Sequence, residues 1–153
     1  MVSLEVAMFW ISSVLILPLW VMMWFMPKHE ITHKIMSNPL YCIVPLTIPY
    51  VILVIPNIID IFVLLGSQMP TPEIVTEMFS NETTIILAWL HMLALDTLGG
   101  RWIWKRMVAK DLPIWQSMPP LLLCMMVAPL GILIGIMLTR DTDEEAVAEA
   151  VAA

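Results

Sequence analysis

The sequence predicts an all-α fold: a polytopic membrane protein built as a bundle of four transmembrane helices, some of them kinked by proline. Three observations support this prediction. Hydrophobic residues make up 60% of the chain, the mean hydropathy is +0.90, and only 13% of the residues are charged, against ~25% in a typical soluble domain. A soluble protein of this size could not bury so many apolar side chains, so the composition indicates a membrane.

Four apolar stretches are long enough for helices that cross a bilayer of ~30 Å, for which about 20 residues suffice. They cover residues 4–26, 40–66, 83–104 and 117–139. Prolines lie within the second and fourth stretches, and membrane helices tolerate them where neighbouring groups satisfy the freed carbonyls. We therefore expect one transmembrane domain over residues 1–140, followed by an acidic, mobile tail over residues 141–153.

Positive charge predicts the orientation of the bundle. All but one of the seven Lys and Arg residues lie in the loop between the first two spans, near the inner end of the third span, or in the loop that follows it. These loops share one side in a four-span topology, and the positive-inside rule makes that side the inner one. The sequence therefore predicts an N-out and C-out protein whose acidic tail lies on the outer side.

The connection between the second and third spans carries only acidic charge and contains a pattern typical of a helix start. Thr71 can cap a helix, Pro72 suits the first turn, and Glu73 is favourable at the positive end of the helix. Apolar residues follow at helical spacing, at Ile74 and Met78. This pattern predicts a short interfacial helix on the outer face.

Charge and cysteine placement narrow the class of partner. The net charge of −6 arises largely from the tail, and no basic patch of the kind that binds nucleic acid is present. Cys42 and Cys124 each lie in an apolar run, so we expect no disulfide framework. The expected partners are membrane lipid and, for assembly, a second copy of the chain or a larger membrane complex.

The loop after the first span contains the H-E-x-x-H pattern, formed by His29, Glu30 and His33. On a helix this spacing lets two histidines hold zinc beside a glutamate that activates water, so one hypothesis is a membrane metalloprotease. The alternative is a short helix whose Ile31 and Ile35 face the membrane while both histidines face water. A catalytic zinc needs a third ligand, and the pattern marks none. We therefore predict no catalytic zinc. If a metal ion does bind, these three residues are the candidates to hold it.

The third span carries an acid, Asp96, close to the middle of the bilayer. A charge at that depth costs about 2.5–3.5 kcal/mol on insertion scales, so it requires either a function or a partner on a neighbouring helix. Glu82, Trp89 and Asp96 recur every seven residues and therefore share one stripe of the helix, together with Met92. This stripe predicts a site in a cleft shared with the second and fourth spans.

Other polar and small residues of the third span frame this candidate site. Gly99 and Gly100 flank the stripe and permit close helix approach or leave room for a ligand. His91 and Arg101 lie about 140° from Asp96, on either side, so His91 and Asp96 do not form a simple pair on one face. Each must meet partners on other helices, for which Asn57 and Asp60 on the second span are candidates.

Residues 79–101 resemble the central signature of the abscisic-acid-deficient-four-like family, the plant neoxanthin-synthase type of membrane protein. That signature reads approximately F-S-x-E-x-T, then A-W-[IL]-H, an Asp five residues after the His, and an Arg five further on. Here it falls on Phe79, Ser80, Glu82, Thr84, Ala88, Trp89, His91, Asp96 and Arg101. The flanking sequences LPLWVMMWFMPKHEITHKIM and LLLCMMVAPLGI resemble the family's first and last helices.

The resemblance implies a protein of carotenoid or xanthophyll metabolism. Converting a 5,6-epoxide into an allenic alcohol is an isomerisation that needs an acid for the epoxide oxygen and a base for a carbon-bound proton, with no redox cofactor. On this interpretation Asp96 is the acid and His91 the base. The residues expected to contact the substrate are Glu82, Trp89, Met92, Gly99, Gly100, Arg101, Asn57 and Asp60. The expected ligand is a carotenoid, another polyene or a lipid.

Two other classes of function stay open at this stage: a non-catalytic polyene- or lipid-binding membrane subunit, and the metalloprotease. The chain shows no plastid-targeting extension, its loops are short and its tail is acidic. These features predict an integral protein of a prokaryotic cytoplasmic membrane.

Overall fold

In the computed structural model, residues 3–67, 69 and 71–152 are described, and every element of regular structure among them is an α-helix. The helices, in chain order, are α1 (Leu4–Phe25), α2 (Glu30–Ser37), α3 (Pro39–Cys42), α4 (Val44–Ser67), α5 (Pro72–Met78), α6 (Glu82–Ala109), α7 (Ile114–Met126), α8 (Ala128–Leu138) and α9 (Glu144–Ala152). The predicted all-α class is therefore confirmed.

Three helices of the described chain are long and apolar enough to cross a membrane: α1, the Val44–Val63 part of α4, and α6. They correspond to the first three predicted spans, although α6 continues five residues past the predicted end. Contacts between Phe9 and Trp89 and between Trp20 and Gly100 show that α1 and α6 run in the same direction. Tyr50 contacts His91, whereas Asn57 and Asp60 line a space with Thr83 and Thr84, so α4 runs antiparallel to α6. The polytopic membrane architecture is confirmed, but the count of four spans is not.

The fourth apolar stretch, predicted as one span over 117–139, is two shorter helices that fold back on each other. α7 has 13 residues and α8 has 11, so they measure about 20 and 17 Å, less than the ~30 Å of a hydrocarbon core. Val127 separates them with a non-helical backbone (φ −145°, ψ 73°). A Cβ on Gly131 would meet backbone atoms of both Pro120 and Cys124. Such contacts arise only if α8 returns alongside α7, so the pair is a re-entrant hairpin.

The hairpin returns the chain to the end of the bundle at which α7 begins, so the tail starts from that end. Ile132 lies against Gly99, Gly135 against Ile103, and the Arg106 Nη2 donates to the Thr139 carbonyl, so α8 runs parallel to α6. We call the end of the bundle that holds Lys28, Lys34 and Lys110 the basic end. α1 starts at the opposite end, whereas α8 finishes at the basic end. The predicted N-out and C-out topology needs both termini at one end of the bundle, and this arrangement of α1 and α8 does not agree with it.

The tail, which the sequence suggested would be mobile, forms α9 and packs against α6 at the basic end. Arg106 is the anchor: its Nη2 donates to the carbonyls of Thr139 and Thr142 at 2.9 and 3.0 Å, and its Nη1 lies 3.1 Å from Glu144. Lys110 pairs with Asp141 at 3.7 Å. The acidic tail is thus attracted to the Lys and Arg side chains at the basic end. Val147, which belongs to α9, is buried.

The densest core lies in the half of the bundle nearest the basic end. Its fully buried members include Trp20, Met23, Met36, Trp104 and Leu121. Both tryptophans satisfy their indole N–H groups internally, since Trp20 Nε1 donates to the Thr97 hydroxyl at 3.3 Å and Trp104 Nε1 to the Pro27 carbonyl at 3.0 Å. A smaller cluster around Leu53, Ile86, Leu87 and Leu90 joins α4 to α6 in the other half.

The predicted interfacial helix is present as α5. The Thr71 hydroxyl accepts from the backbone N–H of Ile74 at 3.5 Å, and Pro72 occupies the first turn. Hydrogen bonds from its own backbone N–H and from the Thr71 hydroxyl lower the pKa of Glu73. The helix start is therefore built as the sequence pattern predicts.

Candidate functional site

Asp96 lies at the middle of α6 and at the depth where the hairpin ends. Gly99, one turn further along α6, touches Ile132 of α8. α8 begins four residues before Ile132, so the apex of the hairpin (residues 126–128) lies near the level of Asp96. The Asp96 side chain is half-buried. Within the described part of the chain, no hydrogen bond or ion pair to this carboxyl group is found.

The stripe that contains Asp96 continues beyond the apex as an uncovered surface. Trp89 is 42% exposed and Met92 is 48% exposed, because α7 and α8 do not extend past the level of Asp96. Trp89 also packs against Phe9 of α1, with ring centroids 6.1 Å apart. We call Trp89, Met92 and Asp96 the Asp96 stripe. Glu82, at the far end of the same helix face, is exposed and lies outside it.

The two glycines next to the stripe serve helix packing. A Cβ on Gly99 would lie 2.7 Å from Ile132 Cδ1, and one on Gly100 would lie 2.5 Å from Trp20 Cη2. The Ile132 side chain is flexible and can shift, but the buried Trp20 ring is rigid, so Gly100 in particular is needed for the close approach of α6 and α1. Of the two roles that the sequence allowed, the structure shows close approach, and the space beside each glycine is filled by protein.

His91 lies away from Asp96, as the angle between them predicts. Its ring packs on Tyr50 of α4, with centroids 5.7 Å apart, whereas Asp96 shares a face of α6 with Ile103, which packs on α8. The five-residue separation adds about 7.5 Å along the helix. The structure therefore does not bring the two expected proton-transfer groups together.

Arg101 holds the end of α2. Its Nε and Nη2 donate to the carbonyls of Met36 and Ser37 at 2.5 and 2.6 Å. These carbonyls belong to the last turn of α2, where helix acceptors have no partner inside the helix. Arg101 therefore joins α6 to the loop region at the basic end, and the Asp96 stripe lies on another face of α6.

Asn57 and Asp60 line a different space from the one expected. A cavity of about 460 Å³ lies between α4, α5 and α6, at the end of the bundle opposite the basic end. Its lining consists of Asn57, Asp60, Ile61, Ile74, Glu77, Met78, Asn81, Thr83, Thr84 and Leu87. Leu87 and Asp96 lie nine residues apart, on opposite sides of α6 at 100° per residue. The expected cleft joining Asn57 and Asp60 to Asp96 is therefore not formed.

The H-E-x-x-H residues take structural positions around the start of α2. His29 precedes the helix, and its Nδ1 accepts from the Ile31 backbone N–H at 3.2 Å. His33 does not face water as expected: its Nδ1 is buried without a hydrogen-bond partner and its ring lies 5.3 Å from that of Trp104. The cause is the Thr32 hydroxyl, which donates to the Met26 carbonyl and turns this face of α2 inward. No three His, Cys, Asp or Glu side chains in the described ranges could hold a metal ion together.

Sequence reasoning did not identify the residues at the apex of the hairpin. Met126 and Val127 are exposed there, beside the buried Cys124. The available signal for a chain reversal was the spacing of two proline sites, at 119–120 and at 129, in a stretch only slightly longer than one span. The same spacing also fits a bent helix, because a hydropathy pattern does not show in which direction the chain continues.

Residues 7–134 match the family model described as ABA DEFICIENT 4-like. A curated relative, Protein ABA DEFICIENT 4, chloroplastic, from Arabidopsis thaliana, is 26% identical over 137 residues, covering 82% of this chain. The chain spans 57% of the length of that relative. No solved structure shows significant similarity to the chain.

The comparison corrects the expected location of the protein and confirms its expected family. The named relative is a chloroplastic plant protein, and this contradicts the expected prokaryotic cytoplasmic membrane, which was inferred from short loops and a missing extension. The family resemblance seen in residues 79–101 is confirmed over most of the chain. From this match we conclude that the chain belongs to the ABA DEFICIENT 4-like family.

Proposed function

We propose that this protein is a membrane enzyme that isomerises a carotenoid, with the Asp96 carboxyl group as the proton-transfer group. One observation carries the proposal: an acid without a described partner lies at the middle of α6, level with the apex of the α7–α8 hairpin, where the uncovered part of the Asp96 stripe begins. An acid in the membrane interior is costly to insert and is a functional hypothesis by default. Here the carboxyl group is also accessible from the lipid side, past Trp89 and Met92.

The surface of the stripe suits a conjugated, rod-shaped ligand. An indole ring offers a flat apolar face, and a methionine side chain adapts to irregular shapes. A carotenoid is comparable in length to the ~30 Å hydrocarbon core, so it can lie along α6 with one end group near Asp96. The resemblance to neoxanthin-synthase-type proteins supports the choice of a xanthophyll epoxide as substrate.

A single carboxyl group can carry both proton transfers. Asp96 in its acid form donates a proton to the epoxide oxygen, and the carbon–oxygen bond breaks with its electron pair going to oxygen. The carboxylate then removes a proton from the adjacent carbon, and that C–H electron pair forms the new double bond of the allene. The product is an isomer of the substrate, Asp96 regains its proton, and nothing is oxidised or reduced. This proposal leaves His91 outside the reaction, because it faces α4.

The test uses purified protein in nanodiscs with a 5,6-epoxy xanthophyll, and product is measured by chromatography. Asp96→Asn preserves shape but removes the transferable proton, so conversion should fall by about 10²-fold or more. Glu145→Gln is the control, since it removes the charge of an exposed acid in α9 that belongs to neither candidate site. Undiminished conversion by Asp96→Asn would exclude this role.

A second candidate, a non-catalytic carotenoid-binding membrane protein, is favoured by the separation of His91 from Asp96. It requires the Trp89 and Met92 surface but no proton transfer. In that case the wild-type protein should retain pigment without converting it, and Asp96→Asn should retain the same amount. Absorption spectra and masses of the extracted pigment distinguish the two candidates.

A further inference from the structure

We propose that the cavity between α4, α5 and α6 binds the neutral, hydroxyl-bearing end group of an apolar membrane molecule. This site is separate from the Asp96 stripe. Leu87, which lines the cavity, and Asp96 are on opposite sides of α6 and about 13 Å apart along its axis. The volume of about 460 Å³ lies within the range of small-molecule pockets, roughly 300–1,000 Å³.

The position of the cavity indicates a ligand that lies at the membrane surface. Thr83 and Thr84 are in the first turn of α6, and Asp60 lies within one turn of the end of the apolar Val44–Val63 segment of α4. The third wall is α5, which lies at the opposite end from the basic residues. A ligand here would place its polar end group at the interface and could extend its apolar part toward the hydrocarbon.

The charge of the lining selects against anionic head groups. Asp60 and Glu77 contribute two carboxylates, and the described residues that line the cavity include no Lys, Arg or His. A phosphate or carboxylate would therefore meet like charge without a neutralising partner. A hydroxyl group, in contrast, can donate a hydrogen bond to either carboxylate, and bonds to charged acceptors are the stronger ones.

The remaining polar groups can complete the recognition of hydroxyls. The Asn81 side-chain oxygen is used to accept from the backbone N–H groups of Thr83 and Thr84, which directs its NH₂ group elsewhere as a donor. Asn57 donates to the Leu53 carbonyl at 2.9 Å, so its own side-chain oxygen is available as an acceptor. Ile61, Ile74, Met78 and Leu87 supply apolar contacts for a ring or the start of a chain.

Two sources share this chemistry: the hydroxylated end ring of a xanthophyll and the sugar head group of a glycolipid. The test uses the full chain in phosphatidylcholine nanodiscs. The binding of zeaxanthin, which has a hydroxyl on each end ring, is compared with that of β-carotene, which has none. Competition by a neutral monoglycosyl diacylglycerol is measured in parallel. We expect hydroxylated ligand to bind about tenfold or more tightly than β-carotene, and competition shows which source binds better.

Two variants with matched controls assign the binding to this cavity. Ile74→Trp should fill it and weaken hydroxylated-ligand binding about tenfold, whereas Val75→Trp, on the neighbouring exposed position, should not. Glu77→Gln should weaken binding, and Glu73→Gln, an acid outside the cavity, should not. Equal binding by Ile74→Trp and Val75→Trp, or no binding of either hydroxylated ligand by the wild type, would overturn the proposal.

Discussion

Gly131 lies directly against the backbone of Pro120, although eleven positions separate the two residues in the sequence. A continuous helix would place them about 16 Å apart along its axis. The contact therefore defines the α7–α8 hairpin and, through it, the end of the bundle at which the tail lies. Together with the contact of Ile132 with Gly99, it places the apex of the hairpin near the level of Asp96. The uncovered part of the Asp96 stripe begins at that level.

The first prediction concerns this contact. Gly131→Ala should destabilise the protein by about 1–3 kcal/mol, because the added Cβ meets backbone atoms that cannot move aside cheaply. Thermal unfolding in detergent, followed by circular dichroism, measures the effect. Gly66→Ala is the control, since nothing lies within 4 Å of a Cβ there, and in a helix the change should be neutral or slightly stabilising. Equal stability of the two variants would contradict the hairpin.

The second prediction concerns topology. Single cysteines placed by Lys34→Cys and Glu145→Cys should react with a membrane-impermeant maleimide from the same side of the membrane, because both residues lie at the basic end. Glu73→Cys, in α5, should react from the other side. The native Cys42 and Cys124 are buried and should contribute little background. Labelling of position 145 together with position 73 would restore the four-span topology.

Hydropathy and helix-start signals correctly predicted the first three spans and α5. Both depend on local physics: a span needs only enough apolar length, and a cap needs only neighbouring residues, as at Thr71. The divergence of His91 and Asp96 was also predictable, because helical periodicity fixes their angle. These features could be derived from sequence because no contact with a distant residue decides them.

The hairpin and the cavity could not be derived in this way. Residues 117–139 satisfy the length of a span, and only the contact of Gly131 with α7 shows that the chain reverses. The positive-inside rule was then applied to four spans, which placed the tail at the same end of the bundle as the start of α1, whereas α8 finishes at the opposite end. The grouping of Asn57 and Asp60 with α5, away from Asp96, likewise depends on how α4 packs on α6.

The third prediction concerns Arg101. Arg101→Gln should destabilise the protein by about 1.5–3 kcal/mol, the usual range for hydrogen bonds to a charged group, because the last carbonyls of α2 lose their donors. Arg101→Lys should recover part of this loss, since an ammonium group cannot reproduce the bidentate geometry. Arg140→Gln, at an exposed arginine, should change the thermal unfolding midpoint little. Thermal midpoints of the three variants decide whether Arg101 has this anchoring role.

The fourth prediction concerns the attachment of the tail. Arg106→Gln should release α9, because two carbonyls, the Thr139 hydroxyl and Glu144 all depend on this side chain. Glu144→Gln should have little effect, since its side chain is 80% exposed and such ion pairs contribute weakly. Hydrogen–deuterium exchange of the tail provides the measurement. Fast exchange in the wild type, equal to that in Arg106→Gln, would show that the tail is mobile, as the sequence suggested.

The last prediction decides whether His91 takes part in the proposed isomerisation. His91→Phe keeps an aromatic ring on Tyr50 but removes both ring nitrogens. Because His91 faces α4 while Asp96 lies on the face of α6 that packs on α8, we expect conversion of an epoxy xanthophyll to stay within about threefold of wild type. A catalytic base would instead contribute about 10²-fold or more. Tyr50→Phe, which keeps the ring contact and changes no group of the Asp96 stripe, is the control. A loss of 10²-fold in His91→Phe at unchanged thermal stability would mean that α4 and α6 rearrange on substrate binding to bring the two groups together.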